Sequence, residues 1–138
     1  MREYFVDTNV LIDLVIEREP NSTYARELFT IAKEKSIVLN ICAMSYNFVY
    51  YNVKKHLGRE KALKAINFLS DVTICLPVDH LIIKHARFSK FRDFEDAIQY
   101  FCSFQIPKCE AIITRNAKDF KLSNIPIMNP YEFLGNEL

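Results

Sequence analysis

YFVDTNVLID, residues 4–13, is the stretch from which the architecture follows. Tyr4, Phe5 and Val6 form an apolar, β-prone run that Asp7 cuts off. Val10, Leu11, Leu14 and Val15 then recur at helical spacing. A buried strand over residues 3–6 therefore passes directly into a helix over 8–17, with a carboxylate at the junction. The rest of the chain repeats this alternation. EPNSTYARELFTIAKEK predicts a second helix, capped by Asn21 or Ser22, with an apolar stripe of Ala25, Leu28, Phe29 and Ala32. SIVLNICA reads as a fully buried strand. SYNFVYYNVKKHLG reads as a helix ending near Gly58, and REKALKAINFLSD as the next. VTICL is a strand stopped by Pro77, and a helix follows over 79–89. KFRDFEDAIQYFCSFQI is helical, with Ala97, Ile98, Phe101 and Phe104 inward. EAIIT is a strand, RNAKDF a polar turn, IPIMN a last short strand and PYEFL a closing helical turn. Apolar strands alternating with helices predict an α/β, three-layer sandwich with a mostly parallel central sheet flanked by helices.

The 138 residues suit one domain, residues 1–138. Half are hydrophobic and a quarter charged, as in a globular protein. The two glycines exclude a glycine-rich phosphate loop. A formal charge of +1 means that any nucleic-acid contact must rest on local patches. Two basic stretches qualify: Lys54, Lys55, His56, Arg59, Lys61 and Lys64, and Lys84, His85, Arg87, Lys90 and Arg92. Each reads equally as a solvated helix face. The four cysteines make no CxxC pair. Cys42, Cys75 and Cys102 sit in apolar company and read as core residues of a reduced, cytoplasmic protein. The start of the chain shows no signal-peptide pattern. No apolar run approaches the roughly 20 residues that span a bilayer.

In parallel sheets, ligands gather at the carboxyl ends of strands where the winding direction reverses. Asp7 leaves the first strand there. Thr114, Arg115, Asn116 and Asp119 leave a later one. Asp93 and Asp96 share a face at the start of the helix DFEDAIQYF. If these carboxylates meet, their repulsion raises their proton affinity, and a hard dication removes the cost. Oxygen ligands without cysteine or histidine favour Mg²⁺ or Mn²⁺ over zinc. The competing reading is plain capping. Asp7, Asp93 and Asp96 each suit the first turn of a helix, and capping and metal binding can coincide. Tyr46, Tyr50 and Tyr51 fit base stacking or helix packing.

YFVDTNVLIDLV, FRDFEDAIQYF, AIITRNAKDF and MNPYEFL, in that order and spacing, resemble the PIN-domain family over nearly the whole chain. The resemblance implies a parallel sheet between helices. It also implies a Mg²⁺- or Mn²⁺-dependent ribonuclease (a hydrolase), often the toxin of a toxin–antitoxin pair of the VapC type. RNA, an antitoxin protein and a homodimeric second copy are the partners it implies. Position by position, Asp7 matches the first metal-binding aspartate and Asp96 the aspartate opening the later helix. Asn116 falls where many members carry another aspartate. Thr114 and Asp119 complete that motif, and Asp93 is an additional carboxylate one turn before Asp96. One departure stands out. Phe48 occupies the position of the usual glutamate in the third helix, with Asn47 beside it as a neutral oxygen donor. Two functions follow: a metal-dependent endoribonuclease, with Arg115, Lys54, Lys55, Lys84 and Arg87 holding the RNA backbone, or a catalytically weak RNA- or protein-binding module.

Overall fold

The computed structural model describes residues 1–137. A five-stranded sheet runs through it in the order β3-β2-β1-β4-β5, with β1 (Glu3–Val6), β2 (Val38–Cys42), β3 (Ile74–Leu76), β4 (Cys109–Ile113) and β5 (Ile127–Met128). Every neighbouring pair is parallel. β1 pairs with β2 at Tyr4↔Leu39 and with β4 at Val6↔Ile113.

Alternation along the strands assigns each residue to a face. Tyr4, Val6, Leu39, Ile41, Ala111 and Ile113 enter one core. They pack against α1 (Thr8–Ile16), α2 (Asn21–Glu34), α3 (Ala43–Leu57), α4 (Arg59–Val72) and α7 (Pro130–Glu137). Phe5, Cys42 and Ile112 enter the other, against α5 (His80–Arg87) and α6 (Phe94–Ser103). Phe5, Val6, Ile41, Ile112 and Ile113 are fully buried, as strands covered on both sides must be. The expected three-layer α/β sandwich is what forms.

The connections β1→β2→β3 step one way along the sheet with helices on the first face. After β3 the chain crosses back through α5 and α6 on the other face to pair β4 with β1. The winding thus reverses between β1 and β4, and a crevice opens beyond their carboxyl ends. Asp7 and Thr114 are the first residues past those ends.

Local departures from the sequence reading have physical causes. α2 begins after Pro20 with no side-chain cap; Ser22 is buried and accepts from Arg26 at 2.5 Å. β3 is a short edge strand, so Cys75 is exposed rather than a core residue, and Ile74 is exposed beside it. α6 starts at Phe94, four residues later than the apolar pattern suggested, because Asp93 caps it. It ends at Ser103, which turns Phe104 outward, 52% exposed, against Tyr100 and Phe101. Among the described residues no helix is long and apolar enough to cross a membrane.

Candidate active site

Asp7 stands at the cap position of α1, yet its side chain makes no cap hydrogen bond. It is buried and turned into the crevice instead. Gln99 on α6 donates from Nε2 to its Oδ1 at 2.7 Å, and Thr114 donates from Oγ1 to its Oδ2 at 2.6 Å. Burial drives the Asp7 carboxyl above the usual range, opposed by those two hydrogen bonds. Asp93 does cap α6, accepting from the Asp96 backbone N–H at 3.0 Å. Asp96 is half-buried, and its side chain has a proton affinity pushed up to about 7. Burial is the first cause, followed by the charges of Asp7, Asp93, Asp119 and Glu95.

These residues share one pocket of about 290 Å³. Asp7, Asp93, Asp96, Asn116 and Asp119 all line it, with Glu95, Asn9 and Gln99. Asn116 is fixed by its backbone N–H, which donates to Thr114 Oγ1 at 3.1 Å. Asp119 is exposed in the 3-10 turn Ala117–Phe120. The donors are hard oxygens with no thiol or imidazole among them. The carboxylates gather without closing on a point: among the described residues, no three His, Cys, Asp or Glu side chains form a group able to hold a metal ion. Phe48 lines the same pocket, so an aromatic ring occupies α3's position at the site. Asn47, its neighbour, is exposed and does not line the pocket.

A PIN-domain family model matches residues 3–118, most of the chain. The chain belongs to the PIN-domain family. Ribonuclease VapC1 of Aquifex aeolicus is 27% identical over 134 residues, spanning 94% of this chain and 91% of its own length. A solved DNA-bound VapBC from Salmonella typhimurium superposes with a TM-score of 0.70 at 18% identity, over 94% of this chain and 99% of that one. A toxin–antitoxin complex from Klebsiella pneumoniae gives 0.64 at 25% identity, over 93% and 98%.

The cations anticipated for RNA lie apart from the acidic pocket of this PIN domain. Lys54 and Lys55 are exposed at the end of α3, Lys54 with its ammonium 5.9 Å from the Tyr50 ring centre. Lys84 and Arg87 are exposed on α5, Arg87 over the Phe88 ring at 5.0 Å. Arg115 is not free as a phosphate clamp: its Nε donates to the buried Asp13 carboxylate. Arg18 stands 3.0 Å from the other Asp13 oxygen.

Sequence reasoning passed over Gln99, Thr8 and Ser45. Gln99 Oε1 accepts from the Thr8 backbone N–H at 3.0 Å and from Thr8 Oγ1 at 3.1 Å. With Thr8 Oγ1 donating there, Ser45 Oγ donates to Thr8 at 2.6 Å. All three are buried. The Gln99 amide is thus held with its N–H₂ toward Asp7. Its signal in the sequence was a polar residue between Ile98 and Tyr100, inside an apolar helix face and one turn after Asp96.

Proposed function

We propose that this PIN domain is a metal-dependent endoribonuclease hydrolysing RNA phosphodiesters, the toxin of a toxin–antitoxin pair working in the cytoplasm. The observation that carries the reading is the gathering of Asp7, Asp93, Asp96 and Asp119, from the end of β1, the start of α6 and the β4 turn, in one pocket, where burial and then the neighbouring charges push the Asp96 proton affinity up to about 7. Such an excess of negative charge invites a dication. The donor set fits Mg²⁺ or Mn²⁺, ions that take oxygen ligands and, for Mg²⁺, one or two carboxylates with retained water. Asp7 and Asp96 would hold the ion, with Asp93 and Asn116 as further oxygen donors. Bound there, it would orient water and offset phosphodiester charge.

The chain's own residues prepare the rest. Gln99 and Thr114 fix the Asp7 carboxylate in one orientation. Asp119 and Glu95 add negative potential around Asp96. Lys54, Lys55, Lys84 and Arg87 hold flanking phosphates by charge. The similarity to ribonuclease VapC1 supports RNA as substrate, and the similarity to a toxin–antitoxin complex supports an antitoxin partner. Asp7→Asn is expected to abolish cleavage of RNA and to weaken Mn²⁺ binding measured by calorimetry. Cleavage at the parental rate by the purified variant would refute the site.

Phe48 in the pocket favours a second reading, a binding module that retains RNA or protein partners without efficient catalysis. A Mn²⁺ titration separates the two. No binding heat at millimolar ion, with RNA still retained, supports the module.

A further inference from the structure

Next to the acidic pocket lies a second cleft of about 420 Å³, lined by Asn21, Tyr24, Arg115, Asn129, Pro130 and Tyr131. The two are joined by the turn after β4. Asn116 lines the acidic pocket and Arg115 lines the second cleft, and consecutive Cα atoms stand about 3.8 Å apart. Asn129 follows β5 as Arg115 follows β4, so both cavities open on the carboxyl edge of the sheet.

The walls of this cleft are held in place by the protein itself. Asp13 anchors the Arg115 guanidinium. Asn129 and Glu132 cap one another at the start of α7: the Glu132 N–H donates to Asn129 Oδ1 at 2.7 Å, and the Asn129 N–H donates to Glu132 Oε1 at 2.9 Å. Tyr24 and Tyr131 pack edge to face, with ring centres 5.5 Å apart. Tyr131 nevertheless remains 66% exposed. Among the described residues the Asn21 side chain makes no hydrogen bond, and the Asn129 amide nitrogen donates none. The cleft therefore offers an exposed aromatic ring, an anchored guanidinium and two carboxamides with unused hydrogen-bonding capacity, that of Asn129 held through its Oδ1.

We infer that this cleft is a nucleobase subsite, which receives the base of a nucleotide flanking the phosphate bound at the acidic pocket. The inference rests on the nuclease reading for its choice of ligand. Phosphate is the poorer occupant. Arg115 and Arg18 share the single buried carboxylate of Asp13, so their group carries only one net positive charge. Single-stranded RNA is recognised by splaying its bases onto aromatic and arginine planes and hydrogen-bonding their edges, which is the chemistry on offer. A cavity of this size lies within the range of small-ligand sites.

The test uses the full-length protein in EDTA with short, unstructured, fluorescently labelled RNAs of each base composition, read by anisotropy. Tyr131→Ala is expected to weaken binding of at least one RNA about tenfold, the size of one lost base stack. Tyr131→Phe retains the stack and is expected to retain affinity. Thiouridine-substituted RNA is expected to photocross-link to the peptide containing Tyr131. Unchanged affinity in Tyr131→Ala, or cross-links confined to α5 and α6, overturns the subsite and leaves the cleft to another partner. Adding Mn²⁺ to the same RNAs reads the nuclease separately. Cleavage that ignores Tyr131→Ala sinks the subsite alone; RNA held in the cleft but never cut sinks the nuclease alone; no RNA binding at all sinks both.

Discussion

Asp96→Asn replaces a half-buried carboxylate with a neutral group of the same shape, and the crowded site makes its effect on stability depend on pH. In the unfolded chain this carboxyl titrates near 3.8; in the folded, metal-free protein it titrates at about 7. Between those values the folded state keeps a proton that the unfolded state has released. Stability therefore falls as pH rises through the window, and the loss is complete above 7. A displacement from 3.8 to about 7 amounts to about 4 kcal/mol at roughly 1.4 kcal/mol per factor of ten. Asp96 keeps part of its surface in water, so screening reduces this to about 1–2 kcal/mol. The Asp96 side chain accepts no hydrogen bond that asparagine would forfeit among the described residues; only its backbone N–H is engaged, with Asp93. In EDTA at pH 8, Asp96→Asn is expected to melt about 3–8 °C above the parent, at about 3–4 °C per kcal/mol for a chain of this length. At pH 4 the two are expected to converge. Saturating Mn²⁺ should invert the order, because an ion bound to the folded parent stabilises it by mass action and the variant has lost a ligand. Thermal scans at both pH values, with and without Mn²⁺, test each part. A variant no more stable than the parent at pH 8 in EDTA would refute the claim that burial and the neighbouring carboxylates together disfavour a charge on Asp96.

Phe48→Glu returns a carboxylate to the pocket from α3; it is expected to strengthen Mn²⁺ binding in calorimetry by about tenfold or more, the worth of a single charged contact, and to lower the melting temperature in EDTA at pH 8. An unchanged Mn²⁺ isotherm would show that Phe48 does not face the ion. Gln99→Leu strips one donor from the buried Asp7 carboxylate and is expected to lower unfolding stability by about 1–3 kcal/mol in urea titrations. A midpoint equal to the parent's would mean that Gln99 does not hold Asp7. Asp13→Ala leaves Arg18 and Arg115 without their shared carboxylate; both arginines reach solvent, so the expected loss is about 1–2 kcal/mol rather than that of a sealed pair.

Much of the fold was legible because its signals are local and strong. Apolar runs such as Phe5–Val6 and Ala111–Ile113 are buried on both faces, and residues of that kind form covered parallel strands. Periodicity located all the main helices, but not their ends. Pro20 displaced the cap expected at Asn21 or Ser22, whereas Asp93 caps α6 as the capping reading expects, although the helical run read from the sequence starts at Lys90. Solvent exposure at the rim of the sheet was not legible: Cys75 looks like a core residue until β3 is known to be an edge strand. In the candidate site, carboxylates distant in sequence meet because the chain reverses direction between β1 and β4. Strand alternation predicts that reversal only in outline. Arg115 was placed in the right turn, yet its tie to Asp13 depends on how α1 lies against that turn. Gln99 was missed because a buried glutamine announces itself only when its partners are known.

Ser45, Thr8, Gln99, Asp7 and Thr114 form an unbroken run of hydrogen bonds from α3 through α1 and α6 to the end of β4. It passes around the rim of the sheet, linking α1 and α3, which pack mainly on one face, to α6 on the other. A displacement of α6 by even one ångström would strip a donor from Asp7 and leave Thr8 without its acceptor together. The orientation of the first carboxylate therefore depends on where α3 and α6 sit as well as on the strand that carries it.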